Sequence, residues 1–245
     1  MSVDGIVEVL FDVDGTLLDH RSAAAAAVKR IAAAAWVADA AGLVEVWQAL
    51  EERHLDAYLA GRCSFAEQRR RRLREFLPLL DAEVGDDEAL DAWFAHHYLP
   101  AYQQAWRAYP DVAPCLERLA TLPTRPRLAV LTNGDTGQQH AKLSHLGLAE
   151  HVHAIVTSAA LGVAKPDPRA FTLTCDRLHV PADAAVHVGD RLDMDAIAAR
   201  DAGMTGVWLD RNSEAGPLRD AGVPRISSLT DLTDLLEDPS AAPRH

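Results

Sequence analysis

Apolar and polar positions alternate in two different ways along this chain. The first apolar run, Val7-Glu8-Val9-Leu10-Phe11, is short and β-branched or aromatic, and Asp12-Val13-Asp14-Gly15 cuts it off. That pattern predicts a buried strand breaking into a turn, with polar groups at its C-terminal end. Over 23–106 Ala, Leu, Arg and Glu dominate, apolar residues recur at helical spacing, and Gly42, Gly61, Pro78 and Gly85 punctuate the stretch. A helical insert of four or so helices is predicted. After Pro110 the pattern predicts strands over 128–131, 154–156, 185–188 and 206–209, alternating with helices over 136–145, after Pro168, over 192–202 and near 229–236. Strands alternating with helices imply parallel pairing and right-handed crossovers, with ligands bound at the carboxyl ends of the strands.

Composition narrows the class. The 245 residues carry 24 Lys+Arg against 36 Asp+Glu, a formal net charge of −12, which makes a nucleic-acid backbone an unfavourable partner. At 49% hydrophobic and 24% charged the chain has the balance of a soluble globular protein. Cys63, Cys115 and Cys175 lie far apart without a Cys-x-x-Cys spacing, so neither a disulfide framework nor a zinc site is expected and a reducing cytoplasm fits best. The start of the chain lacks the basic and apolar segments of a signal peptide, Lys29 and Arg30 interrupt the Ala-rich stretch, and no membrane span is expected. No internal repeat is visible, and the tail over 238–245 is expected to fray.

Several features read most simply as structure. Arg69 to Arg72 with Arg74 cannot share one helical face and are expected to lay their stems around a helix of the insert. Adjacent His96 and His97 point to different faces, which argues against a metal site. Trp36, Trp47, Trp93 and Trp106 are expected to pack the insert.

The candidate chemistry clusters at the predicted strand ends. Asp12 and Asp14 stand one residue apart in a turn, where two carboxylates repel unless a cation or a shared proton intervenes. Thr132-Asn133-Gly134 ends the second strand with a hydroxyl, an amide and a flexible backbone suited to an oxyanion. Lys165, in Lys165-Pro166-Asp167-Pro168, precedes a helix, and the fourth strand runs out into Gly189-Asp190-Arg191-Leu192-Asp193-Met194-Asp195. Asp12, Asp14 and Asp190 with one lysine would repel an anionic substrate; a divalent cation resolves this, and oxygen ligands favour Mg²⁺.

These four segments, Asp-Val-Asp-Gly-Thr, Leu-Thr-Asn-Gly, Lys-Pro-Asp-Pro and Val-Gly-Asp-x-x-x-x-Asp, resemble the ordered motifs of the haloacid dehalogenase-like (HAD) superfamily over residues 7–209. The resemblance implies an α/β fold with a Rossmann-like parallel sheet core flanked by helices (1–18 and 108–245) and an inserted α-helical cap domain (19–107). It implies Asp12 as the nucleophile that forms an aspartyl-phosphate, and Asp14 as general acid and then base. Thr132 and the Asn133 amide would hold the phosphoryl group, and Lys165 would offset charge. Mg²⁺ would be held by Asp12, the Asp14 carbonyl and Asp190, while Asp195 orients Lys165 or metal-bound water. Asp193 is a weaker candidate, and Met194 stands where many relatives carry a polar residue.

An acid two residues after the nucleophile separates the phosphatases of this superfamily from the dehalogenases, because a halide leaves without a proton. The reading is therefore a Mg²⁺-dependent phosphatase of a small phosphorylated metabolite, working as a monomer or homodimer. A phosphomutase, a dehalogenase or a non-catalytic phospho-ligand-binding relative stands as the alternative. Within the insert, Arg21 and Arg62 are the cations that would select the substrate.

Overall fold

Strand β1 (Glu8–Phe11) is buried along its whole length, as a continuous apolar run demands, and stands at the middle of a six-stranded sheet. The computed structural model describes residues 5–211 and 221–237; the predicted tail over 238–245 lies outside them. Two compact units emerge, one formed by Met1–Asp19 with Ala108–His245 and the other by His20–Arg107.

The second unit is helical throughout, with α1 (His20–Ala34), α2 (Ala40–Leu59), α3 (Phe65–Phe76), α4 (Asp87–Trp93) and α5 (Leu99–Gln104). A 3₁₀ turn over Leu77–Leu80 takes up Pro78, and a π turn over Phe94–Tyr98 joins α4 to α5. Helix α1 buries Ala23, Ala24, Ala27, Val28, Ile31 and Ala32, a stripe at helical spacing made mostly of alanine. Trp47 is wholly buried with its ring 4.8 Å from Phe76 and 4.5 Å from Tyr98. The loop between α2 and α3 is helix punctuation. Gly61 takes a left-handed conformation after α2, and the Ser64 hydroxyl accepts the Glu67 N–H to cap α3.

The arginines of the predicted run share a small set of partners here. Arg70 pairs with Asp87 and Asp91, Arg71 with Glu67, and Arg74 with Glu67 and Asp87, while Arg69 lies over the Phe65 and Phe94 rings. Arg72 alone turns inward, onto Glu51 and the face of Trp47. Trp47 and Trp106 pack the unit as expected, but Trp36 does not: it is 94% exposed. It follows the end of α1 at a φ of 57°, so the turn carries its side chain off the buried stripe.

The other unit returns through α6 (Val112–Thr121), β2 (Arg127–Thr132), α7 (Thr136–His145), β3 (Ala154–Thr157), α8 (Ser158–Leu161), α9 (Pro168–Leu178), β4 (Ala185–Gly189), α10 (Ala198–Asp201), β5 (Thr205–Leu209), β6 (Arg225–Ile226) and α11 (Leu229–Glu237). All five strand pairs are parallel, in the order β3-β2-β1-β4-β5-β6. This is the α/β architecture that the strand and helix alternation predicts. Leu10, Ala129, Leu131 and Val156 of the strands close a core with Ala170, Phe171, Cys175 and Leu178 of α9. Each such large side chain contributes roughly 2 kcal/mol when fully buried. The chain leaves β1 for β2 on one side and returns to β4 on the other, so the topological switch falls at the C-terminal end of β1.

Candidate active site

Three strand ends meet at that switch. Phe11 pairs in register with Val130 and Val188, and the Asp12 N–H continues the ladder to the Val188 carbonyl at 3.0 Å. Whatever follows Phe11, Thr132 and Gly189 therefore shares one edge of the sheet.

Lys165 ties these ends together. Its Nζ donates to Asp12 Oδ1 at 2.8 Å and to Asp195 Oδ1 at 2.6 Å, and the residue is 1% exposed. Its backbone is held in turn by Asn133, whose Nδ2 donates to the Lys165 carbonyl at 2.8 Å while its Oδ1 accepts the Lys165 N–H at 2.9 Å. The Asn133 side chain is thus spent on positioning the lysine loop. Asp195 Oδ2 accepts the Arg191 N–H at 3.0 Å, and His187 Nε2 stands 3.2 Å from Asp195 Oδ1.

Two glycines allow the carboxylates to approach. A Cβ on Gly15, whose φ is +91°, would lie 2.3 Å from Asp190 Oδ2, and one on Gly189 would lie 2.3 Å from the Asp195 carboxylate. The segment after β4 begins with a π turn over Leu192–Ile197 where the sequence predicts an ordinary helix, and it carries Asp195 back over the strand end.

Burial and charge act on each group differently. Burial, then repulsion from Asp12 and Asp195, pushes the Asp190 carboxyl up to about 8. Burial likewise raises Asp12 to about 6, against the pull of Lys165. Burial would raise Asp195 as well, but Lys165 and His187 outweigh it and hold it below the usual carboxylate range. Lys165 is kept charged by Asp12 and Asp195 despite burial. Burial and the neighbouring ammonium lower His187 to about 4, so its ring is neutral at pH 7 and Nε2 is the donor to Asp195.

Carboxylate oxygens of Asp12, Asp190 and Asp195 lie within 4.8 Å of one another. Two buried carboxyls and a half-buried one facing one ammonium leave negative charge uncompensated, which is the condition a divalent cation relieves. Asp195 has both oxygens occupied by Lys165, His187 and the Arg191 N–H, which leaves Asp12 and Asp190 as the side chains fit to take it. Oxygen donors of this kind suit Mg²⁺.

Of the residues singled out from sequence, Asp12, Asp190, Asp195 and Lys165 come together directly, and Thr132 ends the adjacent strand at 1% exposure. Asp14 is turned elsewhere: its carboxylate is held by Lys142 and Gln139 of α7. Asp193 makes none of these contacts, and Met194 places its sulfur 3.5 Å from Asn133 Nδ2. Arg21 and Arg62 belong to the helical unit, where both are exposed.

Sequence reasoning missed Gln139, Lys142, His187 and Arg211. Arg211 donates to the carbonyls of Gly15 and Thr16 and to Asp111, with its guanidinium 3.9 Å from the Tyr109 ring centroid, bracing the turn that carries Asp12 and Asp14. The usable signal for α7 was its spacing, since Gln139, Lys142 and Leu143 share the buried face.

The family model for haloacid dehalogenase-like hydrolases matches residues 9–203. The chain is 31% identical to the ribulose-1,5-bisphosphate 5-phosphatase of Halopiger xanaduensis over 93% of its own length and 98% of that protein. It is 36% identical to the glyceraldehyde 3-phosphate phosphatase of Methanopyrus kandleri, over 54% of this chain and only 58% of that protein. A solved dehalogenase structure superposes with a TM-score of 0.75 at 28% identity, covering 97% of this chain and all of the other (100%). Among the described residues no helix is long and apolar enough to cross a membrane.

Proposed function

The chain belongs to the haloacid dehalogenase-like hydrolase family, and from that premise we propose that it is a phosphoric monoester hydrolase that cleaves a small phosphorylated metabolite through an aspartyl-phosphate on Asp12. The observation that carries this reading is the buried Asp12–Lys165–Asp195 chain with Asp190 beside it, at the switch point of the sheet. The phosphatase name of a relative matched over 98% of its length supports it.

Asp12 attacks phosphorus with the oxygen that Lys165 orients, forming an O–P bond as the ester O–P bond breaks. Asp14 gives its proton to the leaving alkoxide, then accepts one from the water that hydrolyses the acyl phosphate. Thr132 and the main chain around Asn133 bind the phosphoryl oxygens, and Lys165 neutralises the charge that builds on them. Mg²⁺, held by Asp12, Asp190 and the Asp14 carbonyl, would supply electrophilic charge for the transferring group. Selectivity among esters is assigned to the helical unit, with Arg21 and Arg62 as its cations, in a cytoplasmic protein.

The dehalogenase relative favours a second reading. Asp14 weighs against it, since a halide needs no proton and an alkoxide does. The test is release of phosphate from p-nitrophenyl phosphate, followed by a panel of sugar and other small phosphates, with and without Mg²⁺, beside halide release from 2-haloacids. Mg²⁺-dependent phosphate release lost in a folded Asp12→Asn protein is expected. Halide release with no phosphate release from any ester would overturn the reading.

A further inference from the structure

Helix α7 contributes two side chains to Asp14 that the four motifs do not include. Lys142 Nζ lies 2.6 Å from both Asp14 oxygens, and Gln139 Nε2 donates to Oδ2 at 3.0 Å. Lys142 is 3% exposed and Gln139 2%, and they stand three residues apart on the buried face of the helix. The Asp14 carboxylate does not join the cluster formed by Asp12, Asp190 and Asp195. It is held from the α7 side by Lys142 on both oxygens and by Gln139 on one.

We propose that Lys142 and Gln139 are positioning residues for the proton transfers of Asp14. Their grip fixes the orientation of the Asp14 carboxyl, and its proton transfers to the leaving oxygen depend on that orientation. The inference rests on the phosphatase reading and extends its machinery from the strand-end turns to the body of α7.

Two observations favour a functional role over simple fold support. A buried lysine loses its hydration, and an apolar residue of similar size at that place would fill the space without this cost. Gln139 also keeps its Oε1 buried without a hydrogen-bond partner among the described residues, a further desolvation cost. A residue chosen for stability alone would not leave that atom unsatisfied. Its amide is oriented for Asp14 at the expense of its own carbonyl.

The experiment compares kcat/KM for p-nitrophenyl phosphate, whose leaving group needs little protonation, with that for phenyl phosphate, whose leaving group needs much more. It uses the full chain with Mg²⁺, as wild type, Lys142→Met, Gln139→Leu and Lys142→Arg, with circular dichroism and melting as checks on folding. A misplaced general acid penalises the poorer leaving group selectively, because general acid–base catalysis is worth about 10² or more. The expected result is a fall of about 10²-fold for phenyl phosphate in Lys142→Met, with less than about fivefold for p-nitrophenyl phosphate. Lys142→Arg is expected to recover part of the loss, and Gln139→Leu to show the same selectivity on a smaller scale.

Equal losses on both esters would mark the pair as fold support and overturn the inference. So would wild-type kinetics in folded Lys142→Met and Gln139→Leu. A wild type inactive on both esters and on the metabolite panel would instead remove the phosphatase reading, and the inference with it.

Discussion

The two units treat charge in opposite ways. In the helical unit acids and bases neutralise one another: Arg70, Arg71 and Arg74 share Glu67, Asp87 and Asp91, and the inward-facing Arg72 meets Glu51, which Arg72 and His20 hold below its usual range in spite of burial. At the sheet end of the other unit, buried Asp12 and half-buried Asp190 lie beside each other and both are raised. Balanced charge serves a packed scaffold, while carboxyls outnumbering their one ammonium, as Asp12, Asp190 and Asp195 do around Lys165, cost stability and are kept where something else is to bind. The difference locates the site by its electrostatic excess rather than by its shape.

The sharpest way to break this contrast is to remove Asp12, the proposed nucleophile. Asp12→Asn is expected to lower turnover on the order of 10⁴-fold or more while leaving the protein folded, as measured by phosphate release and circular dichroism. In the helical unit the same class of change acts on folding instead. Glu51→Leu strips Arg72 of its ion-pair partner and is expected to destabilise the protein by about 3 kcal/mol in urea titration.

A third prediction sharpens the contrast through pH. Raised carboxyls bind protons in the folded state that the unfolded chain has already released, so stability falls as pH rises from the usual value of 3.8 through about 6 for Asp12 and about 8 for Asp190. In EDTA, Tm is expected to drop on the order of 5 °C between pH 5 and 8.5, and Asp190→Asn to flatten the slope. Mg²⁺ is expected to raise Tm more at pH 8 than at pH 5. Asp195 is lowered, so its contribution is lost only as pH falls below its ordinary range. The smallest effect belongs to Arg74→Ala, whose exposed pairs predict a Tm change of about 2 °C or less by calorimetry.

What was legible in the sequence was local. Asp12 and Asp14, Thr132 and Asn133, and Asp190 and Asp195 each sit within a few residues of an apolar run whose end is easy to find, and the parallel sheet then brings those ends together. Lys142 and Gln139 lie in the middle of a polar helix, where a buried lysine and a surface lysine look the same until the partner strand is known. His187 hides for the opposite reason: it occupies an interior position of a strand that reads as a plain apolar run. Trp36 misleads because size suggests burial, whereas the turn after α1 decides where the ring goes. Asn133 shows a finer limit, since its residue type suggests contact with an oxyanion but its side chain is committed to the Lys165 backbone.

The central place of β1 bears on how the chain is made. Glu8 pairs with Arg127 and Ala185, so β1, made before both, waits for β2 and then β4 before either of its edges is covered. The helices over His20–Arg107 are complete in the meantime and contact mostly one another. During synthesis, then, an apolar strand with two open edges trails ahead of a nascent helical bundle, a species prone to stick to other strands. Asp12 is translated long before its lysine and aspartate neighbours, which complete the cluster only after residue 195 has emerged, so a product cut short of that point would carry Asp12 without them.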